Sequence, residues 1–447
     1  MNALFNSQPF RIDEEGLCHQ LTSLISPKMR DLLQIAMRIY VMDRLTKRNG
    51  RADLDDPSRL MPSLTVHVSD PEFWNSQTVK TLLQRAIDFV SDDCWDFDFA
   101  FQGPQVQRQL WFPLPRLEDT LICLYSGGLD SAAGLANRLR EWNGEVLAVT
   151  AQHQAGQARL IRDQQLPRLR ARFGNRVSSV MVRTTLRNPP PMNRQELTQR
   201  CRSFLFGSLA GAVAFETGID SVEVYENGVG IINLPLMTGM LVGGRATKSS
   251  HPEFFRRMSK LLSAVAERPI RFVLPFRNKT KAQMVEVLAC DGQLSDLARS
   301  SVSCVHYPRR VKGSRKHCGV CPGCIGRRQA LISAGIHEPG DKYTFDIFGD
   351  KAAVERIPID KLDYLKATIT QIEALSCVQP DRRLPLAVHT HLARVLQSSE
   401  DRRPTIRLLQ QYRNEWLRLI EAALKAGRHW ARWHGPIPSS SSARSVA

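Results

Sequence analysis

The chain lacks a hydrophobic run long enough to cross a bilayer. Its longest weakly polar stretch, Val229 to Gly244, contains Asn233, Thr238 and several glycines. That falls short of the roughly 20 apolar residues a span needs, so no membrane partner is expected. The N-terminus has no apolar core behind a basic start; Asp13-Glu14-Glu15 stands there instead. No secretory leader is read, and a cytoplasmic location is expected. No internal repeat is visible, which sets repeat architectures aside. Acid is in short supply: 44 Asp and Glu face 61 Lys and Arg, a net charge of +17. Such a balance favours an anionic partner, either nucleotide phosphates or nucleic acid. A content of 43% hydrophobic and 23% charged residues excludes a wholly disordered or fibrous chain. A length of 447 residues suggests two or three domains.

Periodicity divides the chain. Residues 1–118 read as a mixed α/β extension, with helical spacing over Pro27 to Arg48 and Pro71 to Asp92. Strand-like alternation marks Leu64 to Val68 and Cys94 to Phe99. From Thr120 strands and helices alternate: Leu121–Tyr125, Glu145–Thr150, Val177–Val182 and Ser221–Tyr225 as strands, with a basic helix over Gln157–Phe173 and an apolar one over Arg202–Thr217. The expected fold is α/β, a doubly wound parallel sheet over residues 119–338 whose ligands bind beyond the carboxyl ends of the strands. Residues 339–434 read as a C-terminal helical extension. Its clearest helix, Pro404 to Ala426, carries Ile406, Leu409, Trp416, Ile420 and Leu424 on one stripe. Tyr412, Trp416 and several Arg on that helix are residue types enriched at interface hot spots, so either a partner surface or packing on the core is open. The Ser- and Pro-rich tail, residues 435–447, is expected to be disordered.

Two motifs carry chemistry. Ser126-Gly127-Gly128-Leu129-Asp130-Ser131 joins a buried strand to a helix. Its glycines let the backbone approach an anion, and the N–H groups of the following helix converge where the dipole favours negative charge. Ser126 and Ser131 add hydroxyl donors. Asp130 is out of place beside a phosphate unless it holds Mg²⁺ or fixes the loop. The Gly-Lys-Ser/Thr ending of a Walker-type loop is missing. A tight turn with no ligand is the alternative. Downstream, Cys318-Gly319-Val320-Cys321-Pro322-Gly323-Cys324 holds two overlapping Cys-x-x-Cys units, with Cys304 upstream. Four thiolates would close a structural Zn²⁺ site with no open position. His306 and His317 are rival ligands, and an iron–sulfur cluster or free thiols are alternative readings. The other six cysteines are scattered and read as buried small hydrophobes.

The hexapeptide resembles the signature of the PP-loop ATP pyrophosphatases. With Ser303-Cys304, the cysteine triplet and Arg and Ala on the helix after it, the stretch Leu121 to Gly335 resembles the 7-cyano-7-deazaguanine synthase family, QueC. That resemblance implies ATP-dependent adenylation of a 7-deazaguanine carboxylate with release of pyrophosphate, then formation of a C–N bond. It implies ATP contacts from Tyr125, Ser126, Gly127, Gly128, Leu129, Asp130, Ser131, Ala132, Ala133, Gly134 and Leu135, and zinc ligands Cys304, Cys318, Cys321 and Cys324. Ser126, Asp130, Ser131 and Lys281 are the implied catalytic residues; Lys281, downstream of Pro275-Phe276, is open between a phosphate contact and a solvated surface residue. His153, Arg202, Glu226 and Asn227 are substrate-facing candidates, with a plain turn as the alternative for Glu226-Asn227-Gly228. These three residues, the stretch Gly244 to Pro252 and both extensions resemble a divergent QueC-like branch found in bacterial antiphage-defence loci such as the Qat system (QatC-like). That branch implies a protein partner from the same locus. A tRNA-modifying PP-loop enzyme and a non-catalytic nucleotide-sensing subunit are the competing functions.

Overall fold

The computed structural model describes residues 10–21, 25–47, 60–103, 119–152, 155–186, 195–196, 199–233, 248–305, 309–311, 314–378, 401–428 and 430–431. Its strands are β1 (Phe10–Ile12), β2 (Ser63–Val68), β3 (Asp96–Phe101), β4 (Thr120–Leu124), β5 (Glu145–Gln152), β6 (Val177–Leu186), β7 (Ser221–Val224), β8 (Arg271–Val273), β9 (Arg309–Val311) and β10 (Ser314–Lys316). The main sheet has the order β1-β6-β5-β4-β7-β8. β4 pairs parallel to β5 and to β7, with Ile122 opposite Leu147 on one side and Val222 on the other. The strand is central and covered on both faces, which is why it reads as an unbroken apolar run.

From β4 the chain steps to β5 and β6 on one side, then returns to place β7 and β8 on the other. The crevice at the carboxyl ends of β4 and β7 is therefore the point where the winding reverses, the place where open α/β sheets bind ligands.

One face is covered by helices Pro27–Leu45, Arg202–Glu216 and Pro252–Ala266, which share a core with Ile122, Val149 and Val222. The other is covered by helices Leu129–Glu141, Leu166–Phe173, Lys281–Ala289 and Pro322–Ser333, on Cys123, Val146 and Ala148. The N-terminal extension does not stand apart from this sheet. β1 adds to its edge antiparallel to β6, Phe10 opposite Leu186, and helix Pro27–Leu45 contributes Met29, Leu32, Ala36 and Ile39 to the first core. β2 and β3 form a separate parallel pair.

Two sequence-predicted helices are modified. The Pro71–Asp92 stretch breaks at Ser76 into helices Pro71–Asn75 and Gln77–Ser91. The basic helix contains a π turn at Ile161–Gln165, where Leu166 N–H bonds the Ile161 carbonyl. Pro167 follows at once; it has no N–H, and its ring would crowd the carbonyl four residues back, which favours a widened turn there.

The C-terminal helix spans Arg402–Lys425. Ile406, Leu409, Trp416 and Ile420 lie buried in a third core with Phe348, Trp430 and the four clustered cysteines. Trp416 is 0% exposed, so its large ring is a core residue and not a surface anchor. Leu424 departs from the predicted stripe: it is 41% exposed, and Ala423 takes the buried position in that last turn. The tail 435–447 lies outside the described residues. Among them, no helix is long and apolar enough to cross a membrane.

Candidate active site and metal centre

The loop after β4 closes on itself before it meets any ligand. Gly127 has φ +73, and a Cβ there would lie 2.7 Å from Ile161 Cγ1. Both the conformation and the contact call for glycine. The Gly127 carbonyl accepts from Val302 N at 3.0 Å and from Gln165 Nε2 at 3.1 Å. Gln165 is held in turn by the Tyr125 hydroxyl, 2.8 Å from its Oε1, and Gln157 donates to the Ser126 carbonyl. Gln165 in the π turn and Gln157 in the helical stretch before it thus aim two amide side chains at the loop; nothing in hydrophobic period marks them. Ser131 Oγ donates to the Gly128 carbonyl at 3.0 Å and lies 3.2 Å from Ser126 Oγ. The first-turn N–H groups of helix Leu129–Glu141 have no intrahelical acceptors and converge here, an anion cradle at a helix N-terminus.

Ser126, Gly127, Gly128, Asp130 and Ser131 form that cradle. The side chains of Tyr125, Leu129, Ala132, Ala133 and Leu135 are buried and seat its helix. Gly134 also seats the helix. A Cβ there would be 2.3 Å from Tyr225 Cβ, so its absence lets the helix lie against the end of β7.

Asp130 is drawn into a cluster built from the ends of three adjacent strands. Lys281, at the start of the helix after β8, forms an ion pair with Asp130 Oδ2. Asn227, after β7, donates from Nδ2 to Asp130 Oδ1 at 3.0 Å and to Glu226 Oε1 at 2.8 Å. Its Oδ1 accepts from Gly230 N at 2.9 Å and caps the short helix Gly228–Ile232. Ser250 Oγ donates to Glu226 Oε2 at 3.3 Å. Two carboxylates therefore share one ammonium. Burial raises Glu226, and the Asp130 charge raises it further; Lys281 and the bonds from Asn227 and Ser250 oppose this, and it is pushed up to about 7. Burial works against the Lys281 charge, but the Asp130 and Glu226 carboxylates outweigh it and hold Lys281 above its ordinary range.

The other substrate candidates separate. Arg202 begins a helix on the opposite face. Its guanidinium reaches Gln199 Oε1 at 3.5 Å and lies over Phe206, and burial lowers its pKa. It makes no hydrogen bond or ion pair to the loop among the described residues. His153, the stretch 244–247 and His306 lie outside the described residues.

Cys304, Cys318, Cys321 and Cys324 are buried, and their sulfurs lie within 4.8 Å of one another. None is in a disulfide. The Cys318 and Cys324 sulfurs are 3.8 Å apart. A tetrahedral site with Zn–S bonds of about 2.3 Å has edges of about 3.8 Å. Cys318 N and Cys321 N point at the sulfurs of Cys304 and Cys318, at 3.3 and 3.4 Å, as donors to thiolates. Gly319 (φ +86) allows the turn: a Cβ would sit 1.8 Å from the Phe345 carbonyl oxygen. This donor set fits Zn²⁺. His317 is not one of the four; burial, then the Arg327 charge, lowers it to about 4, and its ring meets Tyr343 edge-on at 5.5 Å.

Loop and cysteine cluster are joined. Val302, which bonds Gly127, is two residues before Cys304. Arg327, on the helix started by the cysteine knuckle, is 0% exposed. It donates to Ser301 Oγ at 2.6 Å, the Ala298 carbonyl at 2.7 Å, and Glu338 at 2.8 and 3.1 Å. Tyr343 donates to the same carboxylate. Burial would raise Glu338, but Arg327 and the Tyr343 hydroxyl outweigh it and hold it at about 2.

Beyond Lys281, a polar cleft of about 350 Å³ opens between the start of its helix and the C-terminal helix, lined by Asn278, Gln283, Pro404, Arg407, Leu408 and Gln411.

Residues 249–335 match the family described as "Queuosine biosynthesis protein QueC". The chain is also similar to the 7-cyano-7-deazaguanine synthase of Methanothermobacter thermautotrophicus, at 25% identity over 240 residues, 49% of this chain and 96% of that protein.

Proposed function

We propose that this chain is an ATP-dependent, QueC-like enzyme that adenylates the carboxylate of a 7-deazaguanine, releases pyrophosphate and then forms a C–N bond. The observation that carries the reading is the gathering of Asp130, Lys281, Asn227 and Glu226 beside the anion cradle at the winding reversal. The cradle suits the pyrophosphate leaving group, and the Lys281 ammonium lies where charge builds on it as the bond to the α-phosphorus breaks. The substrate carboxylate oxygen supplies the new bond to that phosphorus. Glu226, whose Oε1 is filled by Asn227 N and Nδ2 while its Oε2 accepts only from Ser250, is suited to accept an N–H group on the amidine edge of a deazapurine with Oε2. Asp130 would hold Mg²⁺, which when bound neutralises phosphate oxygens. Zn²⁺ in the cysteine cluster would hold the 300–304 segment against the loop and take no part in the chemistry.

An acyl-adenylate reacts with any neutral amine that is well placed, ammonia or an amine of a partner protein. The polar cleft beside Lys281 favours the second, because its amide side chains suit a peptide main chain. With the two extensions, this supports a role in antiphage defence, with a protein encoded at the same locus as acceptor.

The test is the mass of every product formed with ATP, Mg²⁺ and 7-carboxy-7-deazaguanine, with and without that partner, alongside pyrophosphate release. Asp130→Ala should stay folded and lose release by about 10²–10³-fold, the scale of removing one transition-state electrostatic contact. Near-normal release by a folded Asp130→Ala protein would overturn adenylation at this loop. An unmodified partner with free 7-cyano-7-deazaguanine would assign the amine to ammonia.

A further inference from the structure

We propose that Glu415, on the C-terminal helix Arg402–Lys425, is a positioning residue that sets Lys281 through Thr280, so that the C-terminal helix is part of the nucleotide site. The inference rests on the reading of Lys281 as a ligand of the nucleotide.

Thr280 is fully buried and caps the helix that begins with Lys281. Its Oγ1 accepts from Gln283 N at 3.1 Å, while Gln283 Oε1 accepts from Thr280 N at 2.9 Å. With its oxygen occupied as a cap, the hydroxyl has one proton to place, and it donates that proton to Glu415 Oε1 at 2.7 Å. Gln411 donates to the same oxygen at 3.0 Å, and Gln329 to Oε2 at 3.4 Å. Glu415 is 3% exposed and forms no ion pair among the described residues. Burial raises the Glu415 carboxyl against the bonds from Thr280, Gln411 and Gln329 and the charge of Arg418, so a carboxyl here is costlier to bury than Gln or Leu and filling space does not call for it. What Glu415 does is join three helices: its own, the Lys281 helix, and helix Pro322–Ser333, which carries Gln329 and starts at the cysteine cluster.

The same C-terminal helix reaches the other side of the cluster. A Cβ on Gly228, the residue after Asn227, would lie 2.1 Å from the Arg277 carbonyl oxygen and 2.5 Å from Leu408 Cδ2. Arg277 is paired with Asp401, and Gly228 N donates to the Lys279 carbonyl at 2.8 Å. The segments that bear Asn227 and Lys281 are thus held to each other and to one helix from beyond the sheet. A rotation of Thr280 would tilt the first turn of its helix and carry the Lys281 ammonium off Asp130.

The experiment is calorimetric binding of MgATP to the full chain. Glu415→Leu should weaken binding about tenfold, and Glu415→Gln, which keeps an acceptor for Thr280, should stay within about threefold of wild type. Lys281→Met should weaken binding at least as much. The double variant Glu415→Leu/Lys281→Met should be no weaker than Lys281→Met alone, because one effect passes through the other. Ile420→Val, a packing change on the same helix, should lower Tm without altering affinity. If Glu415→Leu does not fold, Thr280→Val cuts the same bond from its other end and must show the same non-additivity. Wild-type affinity in Glu415→Leu, or an effect that adds in full to that of Lys281→Met, overturns the inference alone. A wild-type protein that does not bind MgATP overturns the functional reading and this inference with it.

Discussion

Two buried ionic networks adjoin the loop after β4, and they are built on opposite plans. In one, Arg327 and Glu338 are 0% and 3% exposed at their side chains, Lys342 stands 3.6 Å from the same carboxylate as a second cation, and Ser301, the Ala298 carbonyl and Tyr343 take up further hydrogen-bonding capacity. In the other, Lys281 and Asp130 keep 20% and 14% exposure, and a second carboxylate, Glu226, shares the same ammonium. The closed network leaves a ligand nothing to bind. The open one carries an extra negative charge and a carboxyl that burial and the Asp130 charge push up to about 7, the kind of perturbation that clusters at functional sites. A buried pair is weak evidence for stability in itself, but once built, losing one partner is expensive.

The largest effect should come from undoing the closed side at its root. Zinc binding to such clusters amounts to about 10–16 kcal/mol of folding free energy in small zinc modules. Cys321→Ser, or prolonged chelation, should give zinc-free and thermally weakened protein. One zinc per chain is expected by elemental analysis; stoichiometric iron with visible absorption would refute zinc, and unchanged thermal stability of the variant would refute the structural role.

Next comes a matched pair of substitutions. Arg327→Met removes the bidentate partner of the buried Glu338 carboxylate and leaves it Lys342 at 3.6 Å, so it should cost about 3 kcal/mol of stability, the low end for a broken buried pair. Lys281→Met, in the open network, should cost much less stability yet weaken MgATP binding. Denaturant unfolding read beside binding separates the two; equal stability losses would erase the distinction between the networks. The pH dependence has a definite sign. Glu338 is depressed from 4.5 to about 2, so its contribution is present above the unfolded value and is lost as pH falls from 4.5 through 2.

The smallest effect is a change of slope. Glu226 is raised from 4.5 to about 7, so it is neutral below that pH and anionic above it. The folded state holds this proton more tightly than the unfolded chain, and stability falls as pH rises from 4.5 through 7. Binding of a deazapurine amidine edge needs the anion, so kcat/KM for the deazaguanine should climb through pH 7. In Glu226→Gln that step should vanish; a step that persists would assign it to another group.

Much of this was legible in the residues. The apolar run at Leu121–Tyr125, the two glycines after it and the cysteine spacing each follow from local rules, because burial on both faces, a tight turn and a thiolate knuckle restrict residue type within a few positions. The substrate candidates were less legible. Glu226 and Asn227 reach the loop while Arg202 does not, and all three begin as polar residues at the end of a strand or the start of a helix. Which one arrives depends on the strand order, and β7 lies beside β4 while the Arg202 helix covers the opposite face. Gln165, Gln157 and Glu415 carry no pattern of their own, since an amide or carboxylate inside a helix looks like any solvated residue until its neighbours are known.

By itself, then, the sequence determined the anion cradle and the metal-type cluster, because both are closed by residues near one another in the chain and held to particular types by backbone conformation and ligand geometry. Only the tertiary structure decided that Asp130 meets Lys281, that the N-terminal extension supplies an edge strand and that the C-terminal helix rests on Thr280. Those contacts join residues far apart in the chain, and only the packing of helices on a shared sheet brings them within hydrogen-bonding distance.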